Sequence, residues 1–482
     1  MIEGRAVIDA LVSYVCGPDV ADPDTVDIAR LCLADALGCA LLATRHPACT
    51  RHVGVAVPGG DLVEGSRVPG SKRSFDPLTA TAAIGSLVRW LDYNDTWLGR
   101  EWGHPSDNWA GLLAVGDYLC RSGTRSVTMG EVLQLGVKAY EVQGALALGT
   151  NLNRRGLDHV VYVRVASAAV VTRLLGGGAE AVASAVTNAW ADGAPLRLYR
   201  QGGHAGERKS WAAGDAASRG VYLAYLASSG EPGQQGVLDD QTWGFSRVLL
   251  GDDSVRLLSP LGSAVVDGIL FKVSFPVEFF AQTAVEAALA LHPLLGGRPE
   301  EIDRISIDTT EPALRLIDRR GPLLNAADRD HCLQYAVAVA LLTGNLTHDS
   351  FADEAAADER IDGLRGRTDV RHEPAFTALH DDPEQRAVPN RVTVFLRDGT
   401  RLGPEEVLYP LGHPRRRDEA RPLLQAKLVA NLTAARPDVA WQPLLDVLDD
   451  LERLAALPVD RLMGALTATP DGLAALDATR ES

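Results

Sequence analysis

Over roughly the first 265 residues, apolar side chains return every three to four positions in segment after segment. One face of an α-helix can bury that pattern; a strand, with its period of two, cannot. Residues 24–44 (DTVDIARLCLADALGCALLAT) carry it first. Asp76-Pro77 opens the next helix, a capping side chain followed by proline in the first turn, and the spacing extends that helix to about Trp97. Residues 107–121, 129–149, 158–175, 178–191 and 209–229 repeat the pattern, and 60–75 reads as a surface loop. Alanine and glycine recur at facing positions (AIGSL, GALALG, RVASAAVV), which suits helices packed closely on one another.

The texture changes near residue 268. RISIDTT (304–310) alternates with period two, and RVTVFLRDGTRLGPEEV (391–407) reads as a hairpin turning at Asp398-Gly399, with helices over 276–294 and 328–344 between them. After LYPLGHPRRRDEARP the pattern is helical again. Some 70 residues of loosely amphipathic helix make a marginal core alone. The expectation is therefore a mainly α fold: a large helical domain from residues 1–267 together with a C-terminal return, 409–482, and a smaller α+β lid, 268–408.

The chain has 482 residues and a formal charge of −16, against the basic face that nucleic-acid binding needs. No run is long and apolar enough to suggest a membrane span, and the first residues lack a secretion-signal pattern, so a cytoplasmic protein is expected. The six cysteines show no CxxC or Cys/His spacing, and neither a metal centre nor any other cofactor is expected.

Only five of the 47 basic residues are lysines: Lys72, Lys138, Lys209, Lys272 and Lys427. Arginine cannot replace a lysine that must act as a compact charge or change protonation state, so each is a candidate for a special role or a remnant of drift. Three stretches concentrate reactive side chains. LDYNDTWLGREWGHPSDNW (91–109) holds Asp92, Asp95 and Thr96 at spacings that share one helical face, then His104 just before a helix start, with Trp90, Trp97, Trp102 and Trp109 as candidate walls. A helix N-terminus favours anions and lowers the pKa of a nearby imidazole. The plainer alternative is a capped turn whose histidine is satisfied by its neighbours. LRLYRQGGHAGERKSW (196–211) gathers Arg197, Arg200, Arg208 and Lys209 around a glycine-rich turn, a candidate carboxylate or phosphate cradle lacking the P-loop spacing. ILFKVSFPVEFFAQT (269–283) sets Lys272 in apolar surroundings, either buried with a depressed pKa or lying on the surface with its head in water.

LDYNDTWLGREWGHPSDN, RGLDHVVYVRVASAAVV, RKSWAAGDAASR, FKVSFPVEFFAQTAVEAA and DRDHCLQYAVAVALLTGNLT together resemble the MmgE/PrpD family of 2-methylcitrate dehydratases, in order from about residue 25 to 420. The resemblance implies a cytoplasmic, metal-independent lyase of propanoate catabolism, usually a homodimer, with its site between the helical domain and the lid. Carried over from the family's cis-aconitate decarboxylases, the pocket corresponds to Asp92, Thr96, His104, His159, Lys209 and Lys272. Dehydrating a citrate-like acid needs one group to take a C–H proton and another to protonate the departing hydroxyl, with fixed positive charge on the carboxylates. The roles expected are His104 as acid–base group oriented by Asp92, Lys272 as its partner or as counter-charge, and Lys209 with Arg208 or Arg200 as a carboxylate clamp. Thr96 is expected to bind a carboxylate, and His159 either to serve the pocket or to brace a helix.

The chain departs from the family pattern at FFAQT (Phe280 where histidine is usual), TTEP (Thr310) and the arginine-rich turn (Gln201, with a His204 of its own). These changes leave open another carboxylate substrate, with isomerisation, epimerisation or decarboxylation as the outcome, or drift. A non-catalytic, carboxylate-binding dimer is the reading from a different class.

Overall fold

The computed structural model describes residues 1–53, 60–201 and 204–477. It is mainly α. The first helices are α1 (Arg5–Cys16), α2 (Pro23–Ala43), α3 (Pro77–Arg89), α4 (Trp109–Arg121), α5 (Met129–Gly149), α6 (Val160–Leu174), α7 (Ala179–Ala191) and α8 (Arg208–Ser228). Local chemistry sets their starts. The Asp76 carboxylate accepts the backbone N–H groups of Leu78 (2.9 Å) and Thr79 (3.1 Å), with Pro77 in the first turn. The Thr128 hydroxyl does the same for Glu131 at the head of α5. Such caps contribute about 1 kcal/mol each.

Close packing fixes how these helices meet. A Cβ on Gly85 of α3 would lie 2.5 Å from the Cα of Gly214 on α8. Only glycine at both positions lets the two backbones approach so nearly, and the contact brings the C-terminal end of α3 beside the N-terminal end of α8.

A second group of elements follows: α9 (Gln282–Leu291), β1 (Ile302–Thr309), α10 (Glu311–Ile317), α11 (Leu333–Thr343), β2 (Thr368–His372), β3 (Asn390–Leu396) and β4 (Arg401–Val407). The strands form one sheet in the order β4-β3-β1-β2, with β1 parallel to β2 and antiparallel to β3. The β3–β4 hairpin turns at Asp398-Gly399, where Gly399 has φ 88° and Asp398 accepts the Thr400 N–H. Ile305, Ile307, Val392 and Val394 face Ala284, Val285, Ala288, Val337 and Leu341 of α9 and α11 in one core. A larger core holds α1 to α8, and Leu424, Leu428 and Leu432 of α12 (Arg417–Ala435) join it together with the helices that follow. Leu428 rests on Gly38 of α2.

Several expected helices are shorter or broken. The helix from Asp76 ends at Arg89, not near Trp97. Side chains there find partners that compete with helical backbone bonds: Asn94 Nδ2 donates to Ser106 Oγ (3.0 Å), and Asp95 accepts from Ser106 Oγ and Tyr140 OH (both 2.6 Å). The helical-face argument for Asp92, Asp95 and Thr96 therefore fails, although the three remain close. The segment expected as one helix over 328–344 is a single turn, Ala326–Arg329, then α11, with Asp330 and His331 at the break. The 60–75 loop contains two paired dipeptide strands, Ser66–Arg67 and Ser74–Phe75. Among the described residues no helix is long and apolar enough to cross a membrane, and no group of three or more His, Cys, Asp or Glu side chains is placed to hold a metal ion.

Candidate active site

Beyond α3 the chain turns sharply. Asp92 has φ 49°, a left-handed conformation that costs a non-glycine residue of order 1 kcal/mol. Its side chain supplies the compensation. One oxygen meets Arg89 Nη1; the other lies 2.8 Å from Lys272 Nζ, which also donates to the Asp92 backbone carbonyl at 2.6 Å. Burial pushes the Asp92 carboxyl up, but Arg89 and Lys272 more than offset this and hold it well below the usual range. Lys272 is only 1% exposed; burial lowers its pKa and Asp92 raises it, with a net lowering.

Thr96 then forms an isolated antiparallel bridge with Leu270, its N–H donating at 2.8 Å and its carbonyl accepting at 3.1 Å. This ties the Asp92 turn to the irregular segment that carries Lys272. The Thr96 hydroxyl donates to Gly103 O (3.1 Å), so it faces the cavity as an acceptor rather than as the expected donor to a carboxylate.

His104 precedes a 3-10 turn, Pro105–Asn108, that leads into α4. Its Nδ1 lies 2.6 Å from the backbone carbonyl of Asp95. A carbonyl can only accept, so Nδ1 carries the proton and Nε2 presents its lone pair. Burial first, then Arg89 and Lys272, lower the His104 pKa well below its ordinary value, against the pull of Asp92. The orienting group is thus the Asp95 carbonyl and not the Asp92 carboxylate, whose Oδ1 is 3.8 Å from Nε2 and outside hydrogen-bond range.

These residues line a cavity of about 60 Å³ between the two cores. The helical side adds His159, Arg197 and Arg200, and the sheet-containing side adds Glu278, Phe279, Leu316 and His331. Asp158 accepts Arg200 Nε (2.5 Å) and Glu101 accepts from Arg197 (3.3 Å), which fixes both guanidinium groups. Four of the lining side chains carry buried N–H groups without a hydrogen-bond partner, Arg89 Nε, Trp102 Nε1, Arg197 Nε and Arg200 Nη2, and the His159 ring makes no hydrogen bond although its Nδ1 lies 3.3 Å from Asp158 Oδ1. Buried donors are almost always satisfied. This many, converging among cations, fit a ligand with several carboxylates. The His159 ring lies 6.2 Å from that of His104 and is also held neutral by burial.

Two expected clamp residues sit elsewhere. Lys209 Nζ is engaged by both oxygens of Asp330 (2.6 and 2.7 Å) and lies 3.1 Å from His331 Nδ1. It lines a neighbouring cavity, and His331 separates it from the inner one. Its charge still acts on Asp92. Arg208 is exposed and stacks on Tyr199 and Trp211, because the first turn of α8 points it outward. Of the four tryptophans proposed as walls, only Trp102 lines the cavity; Trp109 is in the helical core, donating to Tyr140.

Sequence reasoning missed Arg89, Glu278 and His331 as cavity residues. Arg89 was legible as the last cation of a helix ahead of an acidic turn; Glu278 and His331 gave no local signal. Three of the departures from the family pattern, Phe280, Thr310 and His204, are not part of the cavity lining. Phe280 packs edge-on against Trp102 and His380, Thr310 caps α10 by accepting the Ala313 N–H, and His204 pairs with Asp328. The Gln201 side chain lies outside the described residues.

A second, outer cleft of about 550 Å³ shares Leu98 and Trp102 with the inner cavity. Arg100, Arg154, Arg315 and Arg386 line it, with Glu311 and Asp381 as the acidic residues. Arg315 stacks over Trp102, and Arg386 over Trp97.

A helical core, a sheet-containing core and a cavity between them lined by several cations are the arrangement of a protein able to hold a small polyanion. The chain belongs to the MmgE/PrpD family: residues 9–258 match the MmgE/PrpD N-terminal domain and residues 275–451 the C-terminal domain. It is 47% identical over 466 residues to a 2-methylcitrate dehydratase of Salmonella typhimurium, covering 95% of this chain and 96% of that one. It is 48% identical over 464 residues to the enzyme of that name from Cupriavidus necator, with the same coverage. A 2-methylcitrate dehydratase-like protein of Aspergillus oryzae is 41% identical over 467 residues, 93% of this chain and 94% of its own.

Proposed function

We propose that this chain is a hydro-lyase that removes water from 2-methylcitrate or a close hydroxy-polycarboxylate, giving the unsaturated acid. The observation that carries the reading is the pairing of a neutral His104, its Nε2 free to accept a proton, with a ring of unsatisfied buried donors in the same cavity. Similarity to relatives named 2-methylcitrate dehydratase supports the choice of substrate. In this reading Arg197, Arg200 and His159 hold the substrate carboxylates. His104 Nε2 takes the C–H proton, and Arg89 and Lys272 stabilise the negative charge that develops beside it. Asp92 keeps those two cations in place. Lys209 acts from behind, holding Asp330 and His331.

Phe280 and Thr310 lie outside the cavity lining, which favours dehydration over the altered outcomes. The proposal includes action without a metal, a homodimer, a cytoplasmic location and a place in propanoate catabolism. The sheet-containing unit, about residues 268–408, acts as the lid.

Incubation with a panel of tricarboxylates, with and without chelator, followed by mass spectrometry, tests it. Loss of one water from 2-methylcitrate is expected, with chelator making no difference. Loss of carbon dioxide, or product of unchanged mass, replaces dehydration with decarboxylation or isomerisation. Tight ligand-induced thermal stabilisation without any product favours a binding protein. Light scattering reads the dimer.

A further inference from the structure

Elimination of water needs an acid as well as a base, each within reach of the atom it serves. His104 supplies the base from the helical side. The titratable groups that share its cavity are Asp92, His159, Lys272, Glu278 and His331. Asp92 is held ionised by two cations and has no proton to give. The imidazoles of His159 and His331 are neutral, burial keeping the second at about 4. Lys272 gives two of its three ammonium protons to acceptors of Asp92 and has the role of counter-charge to the developing anion.

Glu278 differs from all of them. It opens the 3-10 turn Phe279–Ala281, where its carboxyl accepts the Phe280 N–H (2.8 Å), and its own N–H donates to Asp330 O (3.0 Å). Among the described residues no arginine, lysine or histidine forms an ion pair with it. It keeps intermediate solvent exposure and lines the same cavity as His104, together with Leu98, Phe279 and Leu316.

We propose that Glu278 is the general acid that protonates the departing hydroxyl, a role that rests on the dehydration reading above. Burial pushes its carboxyl up to about 7; the Lys272 charge only partly offsets the shift, and the Asp92 charge adds to it. Glu278 thus holds its proton below about pH 7, and just below that pH His104 is still unprotonated. The step balances without a further reactant. The C–H bond breaks and its proton goes to His104 Nε2, while its electron pair forms the C=C bond. The C–O bond breaks with its pair on oxygen, and that oxygen takes the Glu278 proton and leaves as water. Glu278 is left as carboxylate and His104 as imidazolium, and proton exchange with solvent after product release restores both.

The test compares wild type with Glu278→Gln on 2-methylcitrate and on the analogue bearing fluorine in place of the hydroxyl. Fluoride needs far less help to leave. Product absorbance and free fluoride are the readouts. Glutamine keeps the acceptor for Phe280 N–H, and a melting curve checks the fold. E278Q is expected to lose water elimination by two or more decades and fluoride elimination by less than tenfold. Equal loss on both substrates, or near-normal dehydration, overturns the role. Wild type that releases neither water nor fluoride overturns the dehydration reading itself, and the role with it. Should E278Q fail to fold, wild type decides: kcat/KM for 2-methylcitrate is expected to fall above about pH 7 while that for the fluoro analogue stays flat, and parallel profiles count against Glu278.

Discussion

Lys427, the last of the scarce lysines, lies on α12, where the C-terminal helices meet the site. Its Nζ donates to Asp35 Oδ1 (2.7 Å) and to the backbone carbonyls of Lys272 (2.7 Å) and Tyr93 (2.8 Å), above the Tyr93 ring at 3.6 Å. All three ammonium protons are used, so the lysine bolts the Asp92 turn to the segment that carries Lys272. Both side chains of the ion pair are 3% exposed. Burial raises the Asp35 pKa even beside its partner, whereas Asp35, Cys39 and Tyr93 raise that of Lys427 against burial. The complete set of acceptors around Lys427 argues for an ionised pair. Lys427→Met leaves Asp35 buried without a counter-charge, a change that costs about 3–5 kcal/mol when a buried pair is broken. Protonation of Asp35 caps the loss. Holding a proton costs about 1.4 kcal/mol for each pH unit above the ordinary value of 3.8, hence up to about 4 kcal/mol at pH 7 and under about 2 at pH 5. The sign follows from linkage: in the variant the folded chain binds a proton that the unfolded chain releases, so its stability falls as pH rises. Denaturant unfolding of wild type and variant at pH 5 and pH 7, followed by far-ultraviolet circular dichroism, measures the gap. Asp35→Leu combined with Lys427→Met removes both charges and is expected to recover most of the deficit. A gap under about 1 kcal/mol, or one equal at both pH values, refutes the reasoning.

The remaining predictions concern catalysis. His104→Gln is expected to cut turnover by about two or more decades with an unchanged melting curve; near-normal rates remove His104 from the scheme. In wild type, because the His104 pKa lies well below 6.5 and the base must be unprotonated, kcat/KM holds as pH falls to 6.5 and drops only below that depressed pKa; a loss centred at 6.5 or above contradicts the tautomer and burial argument. Arg100→Gln with Arg154→Gln, both exposed in the outer cleft, is expected to lower kcat/KM by roughly tenfold at low ionic strength, leave kcat alone and flatten its salt dependence. An unchanged salt slope shows that the substrate enters elsewhere.

Much of this was legible along the chain because its cause is local. The 3.6-residue period, the Asp76-Pro77 cap, the period-two run at 304–310 and the Asp398-Gly399 turn each depend on neighbours a few positions apart, and each forms. Lysine scarcity drew attention to Lys272 and Lys209, and the His104 helix start was visible in HPSD.

What local patterns could not carry was the partnership between distant segments. The spacing Asp92-Asp95-Thr96 read as a helical face, yet Lys272, 180 positions away, and Ser106 and Tyr140 hold those residues in a turn. Lys209 read as a substrate clamp until Asp330, 121 positions away, took its charge. Glu278 was one glutamate among many until the fold placed it on the cavity lining near Lys272 and Asp92. Residue types and periods determine which elements form. Which charges survive unpaired, which protons stay bound and where a polyanion can sit depend on burial and on the approach of remote backbones, and those exist only in the folded packing.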